Sequence, residues 1–285
     1  GSPMIRGFAT SRVLLVVDRV RLNNAIFRSG NLQNVISLDP QAIRAAEVIF
    51  GPGSVSYGSD AIGGVMDFHT LDVPLSGGTP HNAIRYHGRL ATANREKTVH
   101  TGFLSSRKHW GVRTSLTFSD FGHMRMGSHG NPKYQRQWFV SRNNGRDTVR
   151  QNPNPNIQRF SGYKQRNFMQ KFRYQPGPNW DFRYAFHFSE TSDIPRYDRL
   201  LQGTAQAPKY AVWHYGPQHW KMHHVQLSHK TTRVYDQLKL TAAWQQFRES
   251  RHDRKFRSTY LRQRHEQVNA WSINLDADKK MGRHQ

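Results

Sequence analysis

Residues 47–70 read EVIFGPGSVSYGSDAIGGVMDFHT. Five glycines (Gly51, Gly53, Gly58, Gly63 and Gly64) stand between two short apolar runs, with Tyr57, Ser59 and Asp60 among them. A backbone this rich in glycine turns tightly and lies close against another surface, because it has no Cβ to clash. Val48 to Phe50 and Val65 to Phe68 read as strands on either side of the turn. Upstream, VLLVV at 13–17 is a continuous apolar run, as expected of a strand buried on both faces. Leu38-Asp39-Pro40 reads as the start of a short helix: Asp39 caps, Pro40 suits the first turn, and Ala42, Ile43, Ala45 and Ala46 continue it. Residues 1–75 therefore read as a small α/β module, which alone buries only a modest core.

The Pro/Gly/Ser stretch at 74–80 marks a boundary, so the expected domains are 1–75 and 76–285. Beyond it the apolar period changes to two, the mark of strands with one apolar face. Trp110, Val112, Leu116 and Phe118 share one face, and Arg113, Ser115 and Thr117 the other. The cleanest stripe is Trp180, Phe182, Tyr184, Phe186 and Phe188, opposed by Asp181, Arg183, Ala185 and His187. Leu238 to Trp244 and Trp271 to Leu275 repeat the pattern. The segment 175–179 (QPGPN) is a tight connection, whereas 120–162 and 191–218 read as long polar loops. Short turns alternating with long loops suit a transmembrane β-barrel; a soluble antiparallel sandwich has the same strand alternation. Periodicity alone leaves both open.

Of 42 Lys plus Arg and 19 acidic residues in 285, residues 1–75 hold six arginines and six acids, so the whole excess of +23 lies beyond them. Such an excess favours anionic partners, yet it is spread over strands and loops, with no compact basic block. There is no cysteine, hence neither a disulfide framework nor a thiolate metal site. No apolar run approaches the ~20 residues of a membrane-spanning helix. A phosphate loop needs a Gly-Lys-Ser/Thr ending, and GPGSVSYG has no lysine. His223 and His224 are adjacent, so on a strand they face opposite ways and cannot share an ion. There is no HExxH and no nucleophile–base–orienter set, so the sequence supports neither a metal site nor catalysis. His123, His129 and His214 lie in expected outer loops, where imidazole could meet haem iron, and Asn152-Pro-Asn-Pro-Asn156 is faintly similar to a haem-receptor box.

In their order, PMIRGF (3–8), VLLVVD (13–18), VRLNN (20–24) and the glycine-rich segment resemble the plug domain of TonB-dependent outer-membrane receptors. The resemblance is close over roughly the first 75 residues and looser in the strand-and-loop pattern that follows. It implies a mainly β chain: the C-terminal part of a plug at 1–75, then the N-terminal antiparallel strands of an incomplete transmembrane β-barrel at 76–285, in the outer membrane of a Gram-negative bacterium. It also implies import of a scarce nutrient (ferric siderophore, cobalamin or haem), driven through the TonB energy-transducing protein, among outer-membrane lipid and lipopolysaccharide. Neither an enzyme nor a resident cofactor is implied, nor a specific nucleic acid. The chain is then expected to be a piece of a longer receptor, with the TonB-contacting segment upstream and about eight of roughly 22 strands present. Arg6 and Glu47 match residues that seat the plug against the wall. Phe27, Arg28, Asn31 and Gln33 fall on the apex loop that touches the ligand. Two positions depart from the pattern: Phe50 replaces an arginine, and Arg19 follows Asp18 where the family has glycine. Three other readings stand beside this one: a basic nucleic-acid-binding β protein, a surface-interaction module, and an inactive truncated or altered receptor sequence.

Overall fold

The computed structural model describes residues 3–9, 12–22, 26, 35–51, 58, 61–231 and 234–279. It opens on a hairpin of β1 (Met4–Ile5) and β2 (Phe8–Ala9). The strands β3 (Val13–Val17), β4 (Val20–Arg21), β5 (Ile43–Phe50) and β6 (Gly64–Thr70) then form a four-stranded sheet in the order β4-β3-β6-β5. β3 runs parallel to β6 and antiparallel to β4, and all five of its residues are buried, as its unbroken apolar run predicts. Its turn into β4 has only two residues, Asp18 and Arg19, with φ of 47° and 71°. Such a turn needs left-handed backbone at both positions, so Arg19 stands where glycine would be unstrained.

At Gly64 φ is 142°, and an added Cβ would lie 2.6 Å from the Ile49 carbonyl oxygen. At Gly63 an added Cβ would come within 2.3 Å of the Phe8 Cβ. The glycine pair thus lets β6 start in close contact with both β5 and the first hairpin. The helix expected from Asp39 onward is a strand instead. Asp39 does make the expected turn, its Oδ1 accepting from the Gln41 amide at 3.0 Å. The chain then enters β5, which pairs antiparallel with β6 from Ile43 opposite Thr70 to Phe50 opposite Gly64. The edge of β6 supplies the hydrogen bonds that a helix would have made internally, and tertiary pairing overrides the alanine-rich local preference.

The rest is a wall. Its strands are β7 (His81–Ala91), β8 (Glu96–Ser106), β9 (Trp110–Phe121), β12 (Tyr163–Tyr174), β13 (Trp180–Thr191), β15 (Tyr210–Lys230), β16 (Gln237–Lys255) and β17 (Arg262–Asp278). They pair antiparallel, each with the next, in one curved path bounded by β7 and β17. Three connections at one end are short: 107–109, 175–179 and 231–236. The opposite end carries 122–162 and 192–209 as well as the shorter 92–95 and 256–261. The long segments are structured. The first holds a separate hairpin, β10 (Trp138–Asn143) with β11 (Arg146–Gln151). The second holds β14 (Ile194–Pro195) and the single-turn helix α1 (Tyr197–Leu200). β15 continues into what reads as loop, starting at Tyr210. His214 therefore sits in a strand, paired with His252, rather than in an outer loop.

The two faces of the wall are inverted relative to a soluble protein. Trp180 and Phe182 on β13 are each 41% exposed on the outside, while Ala185, His187, Ser189 and Thr191 of the same strand are buried on the inside. The inner face of the neighbouring strands is Ser115, Thr117, Asn167, Lys171, His224, Thr241 and Gln245, all buried against the N-terminal module. This is the apolar-out, polar-in arrangement of a barrel in lipid.

Candidate functional site

The module meets the wall through a band of polar contacts centred on Asp18. The tight β3–β4 turn pushes the Asp18 carboxylate out of the module and toward β12 and β13. There Lys171 Nζ donates to Oδ2 at 2.9 Å, and His187 Nε2 lies 3.7 Å from the same oxygen. Behind it the Thr70 amide donates to Oδ1 at 2.9 Å, and the Thr70 hydroxyl donates to Oδ2. Burial pushes the Asp18 carboxyl up, but Lys171, His187 and Thr70 together outweigh it, and the group is held far below the ordinary carboxylate value. The ion pair is itself largely sequestered, with side-chain exposures of 11% for Lys171 and 14% for Asp18.

Around this pair, single polar residues of the inner wall reach single groups of the module. Thr117 Oγ1 donates to Asp39 Oδ2 at 2.6 Å, and Gln165 Nε2 to the Ile36 carbonyl at 2.6 Å. Gln245 Nε2 donates to the Arg21 carbonyl at 2.8 Å, and Arg113 Nε to the Asp72 carbonyl at 2.6 Å. Not all of the seam is polar. One apolar cluster runs from Val13, Leu15, Val17, Val20 and Leu22 of the module into Trp220, Met222, Ala243 and Phe247 of β15 and β16. The module is therefore held by ions and hydrogen bonds against β9, β12 and β13, and chiefly by apolar packing against β15 and β16.

Of the residues singled out from sequence, Phe27, Arg28, Asn31 and Gln33 lie outside the described residues. Arg6 and Glu47 are on the module's surface. The Arg6 guanidinium sits over the Phe50 ring, 4.8 Å from its centroid, so the phenylalanine that replaces the expected arginine becomes a cation–π partner. Glu47 lies 3.4 Å from His69, within the module. The residues that do join module to wall in the structure, Asp18, Asp39, Lys171, His187 and Gln245, are ones the sequence did not single out for that role. The available signal was weak: lone polar residues on the inward parity of strands whose other parity is aromatic.

The outer-loop candidates for haem have structural work to do. Asn152 is buried and its side-chain nitrogen donates to the carbonyls of Arg136 and Ile157 at 2.8 and 2.9 Å. Asn154 accepts from the Asn156 amide at 3.1 Å, so the Asn-Pro repeat is a run of side-chain-closed turns. His123 Nδ1 accepts from the amides of Ser161 and Gly162 at 3.3 and 3.2 Å. Burial, and then Arg159 and Arg95, hold it below the usual histidine value, so it is a neutral acceptor.

Comparison with known proteins agrees with this architecture. Residues 1–65 match the model of the TonB-dependent Receptor Plug Domain. A vitamin B12 transporter BtuB of Vibrio vulnificus (strain CMCP6) is 44% identical over 78 residues, 27% of this chain and 12% of the relative. A hemin receptor of Yersinia enterocolitica is 35% identical over 68 residues, 24% of this chain and 9% of the relative. Among solved structures, the FrpB iron transporter from Neisseria meningitidis (F3-3 variant) superposes on 99% of this chain and 40% of its own, with TM-score 0.71 and 13% identity. Copper transporter OprC does so over 97% and 37%, with TM-score 0.70 and 12% identity. The chain thus spans well under half the length of the proteins it matches. With a plug-type module at its start and a polar-lined wall wrapped around that module, the chain carries a match to the TonB-dependent receptor plug over its first 65 residues and shares the fold of these solved transporters along nearly all of its length.

Proposed function

We propose that this chain is the plug and part of the barrel wall of an active importer in the outer membrane of a Gram-negative bacterium. The observation that carries the reading is the inverted wall: aromatic side chains face outward and a small, largely polar seam holds a separate module inside. Lipid demands a closed sheet, since unpaired backbone groups are costly there, and further strands beside β7 and β17 would complete the cylinder. A seam rich in ion pairs and side-chain hydrogen bonds is one that water can replace, so the module can be displaced by force from the TonB protein. Residues 1–75 act as the gate and 76–285 as wall.

The cargo is a scarce nutrient, a ferric siderophore, cobalamin or haem, and the names of the sequence relatives support the latter two. Phe27, Arg28, Asn31 and Gln33 form part of the binding floor, the ring stacking and the polar groups hydrogen-bonding. Arg6 and Glu47, exposed on the module, meet wall strands that close the cylinder. Outer-membrane lipid and lipopolysaccharide cover the outward aromatics. The test is growth of a host stripped of its own receptors and supplied with the full receptor, with each nutrient offered as sole source. Uptake of one of them, abolished in a host lacking TonB, is expected. Uptake that persists without TonB, or none with any of the three, overturns the reading.

A further inference from the structure

Between the module and the short-turn end of the wall lies a cavity of about 380 Å³, within the roughly 300–1,000 Å³ range of small-ligand sites. Its lining is strongly unbalanced in charge: seven Lys and Arg against three Asp, with His69 and His224 in addition. The three carboxylates are already engaged. Asp18 holds Lys171 at 2.9 Å, Asp181 is shared by Arg173 and Arg183 at 2.9 Å each, and Asp72 lies 3.4 Å from Arg183. Arg19 lies 3.5 Å from Asp276, which stands on β17 directly opposite Lys239 and is thereby engaged as well. Among the described residues, no carboxylate lies within ion-pairing distance of Arg44, Lys230 or Lys239.

Lys239 and Lys230 belong to β16 and β15, where Lys239 pairs with Ser228 and Lys230 with Gln237. Both therefore project from the same face as Gln226, Ser228 and Arg183 into one recess. A recess with low-dielectric walls focuses the field of charges of one sign and raises the local concentration of counter-ions. Several cations converging on one volume, with too few acids to neutralise them, are the chemistry that recognises a multiply charged oxyanion through charge-assisted hydrogen bonds.

We propose that this cavity is a binding site for a small polyanion, one carrying two or more phosphate or carboxylate groups, held chiefly by Lys230 and Lys239. Arg44 and Arg19 supply the further positive charge that draws it in. The site lies at the opposite end of the wall from the long loops, and none of its lining residues belongs to the cargo floor proposed above. It does not depend on transport.

The test uses the whole 285-residue chain refolded in a non-ionic detergent. Tripolyphosphate and citrate are titrated in separate calorimetric runs at low salt, and the runs distinguish phosphate from carboxylate recognition. Saturable binding of at least one is expected, weakening by about tenfold in the double variant K230Q/K239Q, the loss of ~1.4 kcal/mol of contact. No saturable binding of either, or binding unchanged in the variant, overturns the proposal. A second measurement needs no variant: acetylation of the wild-type lysines with and without tripolyphosphate. Protection of Lys230 and Lys239 with Lys133 labelled as before supports the site; labelling of Lys230 and Lys239 that the anion does not alter sinks it.

Discussion

Asp18 carries two separate burdens. It occupies a backbone conformation that L residues rarely adopt, and it is the acid of a sequestered ion pair 153 positions away in sequence. Removing one partner of such a pair leaves the other charge stranded, at a cost of about 3 kcal/mol. Asp18→Asn is therefore expected to loosen the module from β12 and β13, seen as faster amide exchange in β3 and the β3–β4 turn. The pH dependence has a definite sign. The Asp18 carboxyl is depressed in the folded chain, so its contribution is full above the unfolded value of 3.8. It declines as pH falls below that value toward the depressed folded one. Acid, not base, should unseat the module in an exchange experiment across pH. Arg19 offers the opposite case. Its φ of 71° is strained for an arginine, and its ion pair with Asp276 is long and exposed. Arg19→Gly should raise the denaturation midpoint by the equivalent of about 1 kcal/mol. The strain at Arg19 was legible through the plug resemblance, because Arg19 stands where that pattern has glycine. The Asp18–Lys171 pair was not, because nothing local links residues so distant.

At the level of strands, alternation is a reliable guide where pairing is regular and fails where it is not. The β13 stripe lies on one face as expected, and the outward position of Phe186 can be tested directly. In lipid vesicles, Phe186→Arg should cost about 2–4 kcal/mol near the bilayer midplane, measured as a lowered midpoint in guanidinium unfolding. A cost near zero would mean that this face does not meet hydrocarbon. The upper part of β15 has the sequence pattern of a loop for a physical reason. Its register with β16 slips between Tyr215 and Gln218, at Gly216-Pro217, where Gly216 takes φ of 99°. A slip of this kind breaks the period-two signal in the residues before it. The helix expected over 42–46 fails for a different reason, while the strand expected at 48–50 is present. Alanines favour a helix only until a neighbouring strand offers a full edge of partners, and β6 does so.

Taken whole, the molecule sorts its charged and aromatic residues by surface. On β9, β12 and β13 aromatic side chains occupy the outer face and Arg113, Lys171, Arg173 and Arg183 the inner, so along these strands the two do not interleave as a nucleic-acid platform requires. The outer face is a broad apolar surface: Trp110, Phe118, Phe172, Tyr174, Trp180, Phe182 and Tyr184 are all well exposed on adjacent strands. A continuous patch of this kind exceeds what soluble monomers carry. The chain should sediment as aggregate in plain buffer and remain dispersed when a mild detergent is added, by analytical ultracentrifugation; monodisperse behaviour without detergent would contradict the barrel reading. The plug resemblance and the strand pattern made this architecture legible from sequence. The seam was not, since it arises only where two separately encoded layers meet.

That seam is lopsided, and the asymmetry has a mechanical meaning. Hydrogen bonds and ion pairs on the β9–β13 flank are exchangeable for water one at a time, whereas the Trp220–Met222–Phe247 flank must be wetted all at once. A tug on the module should swing it like a door: the latch side beside Lys171 opens first, and the greased hinge beside Trp220 stays shut longest.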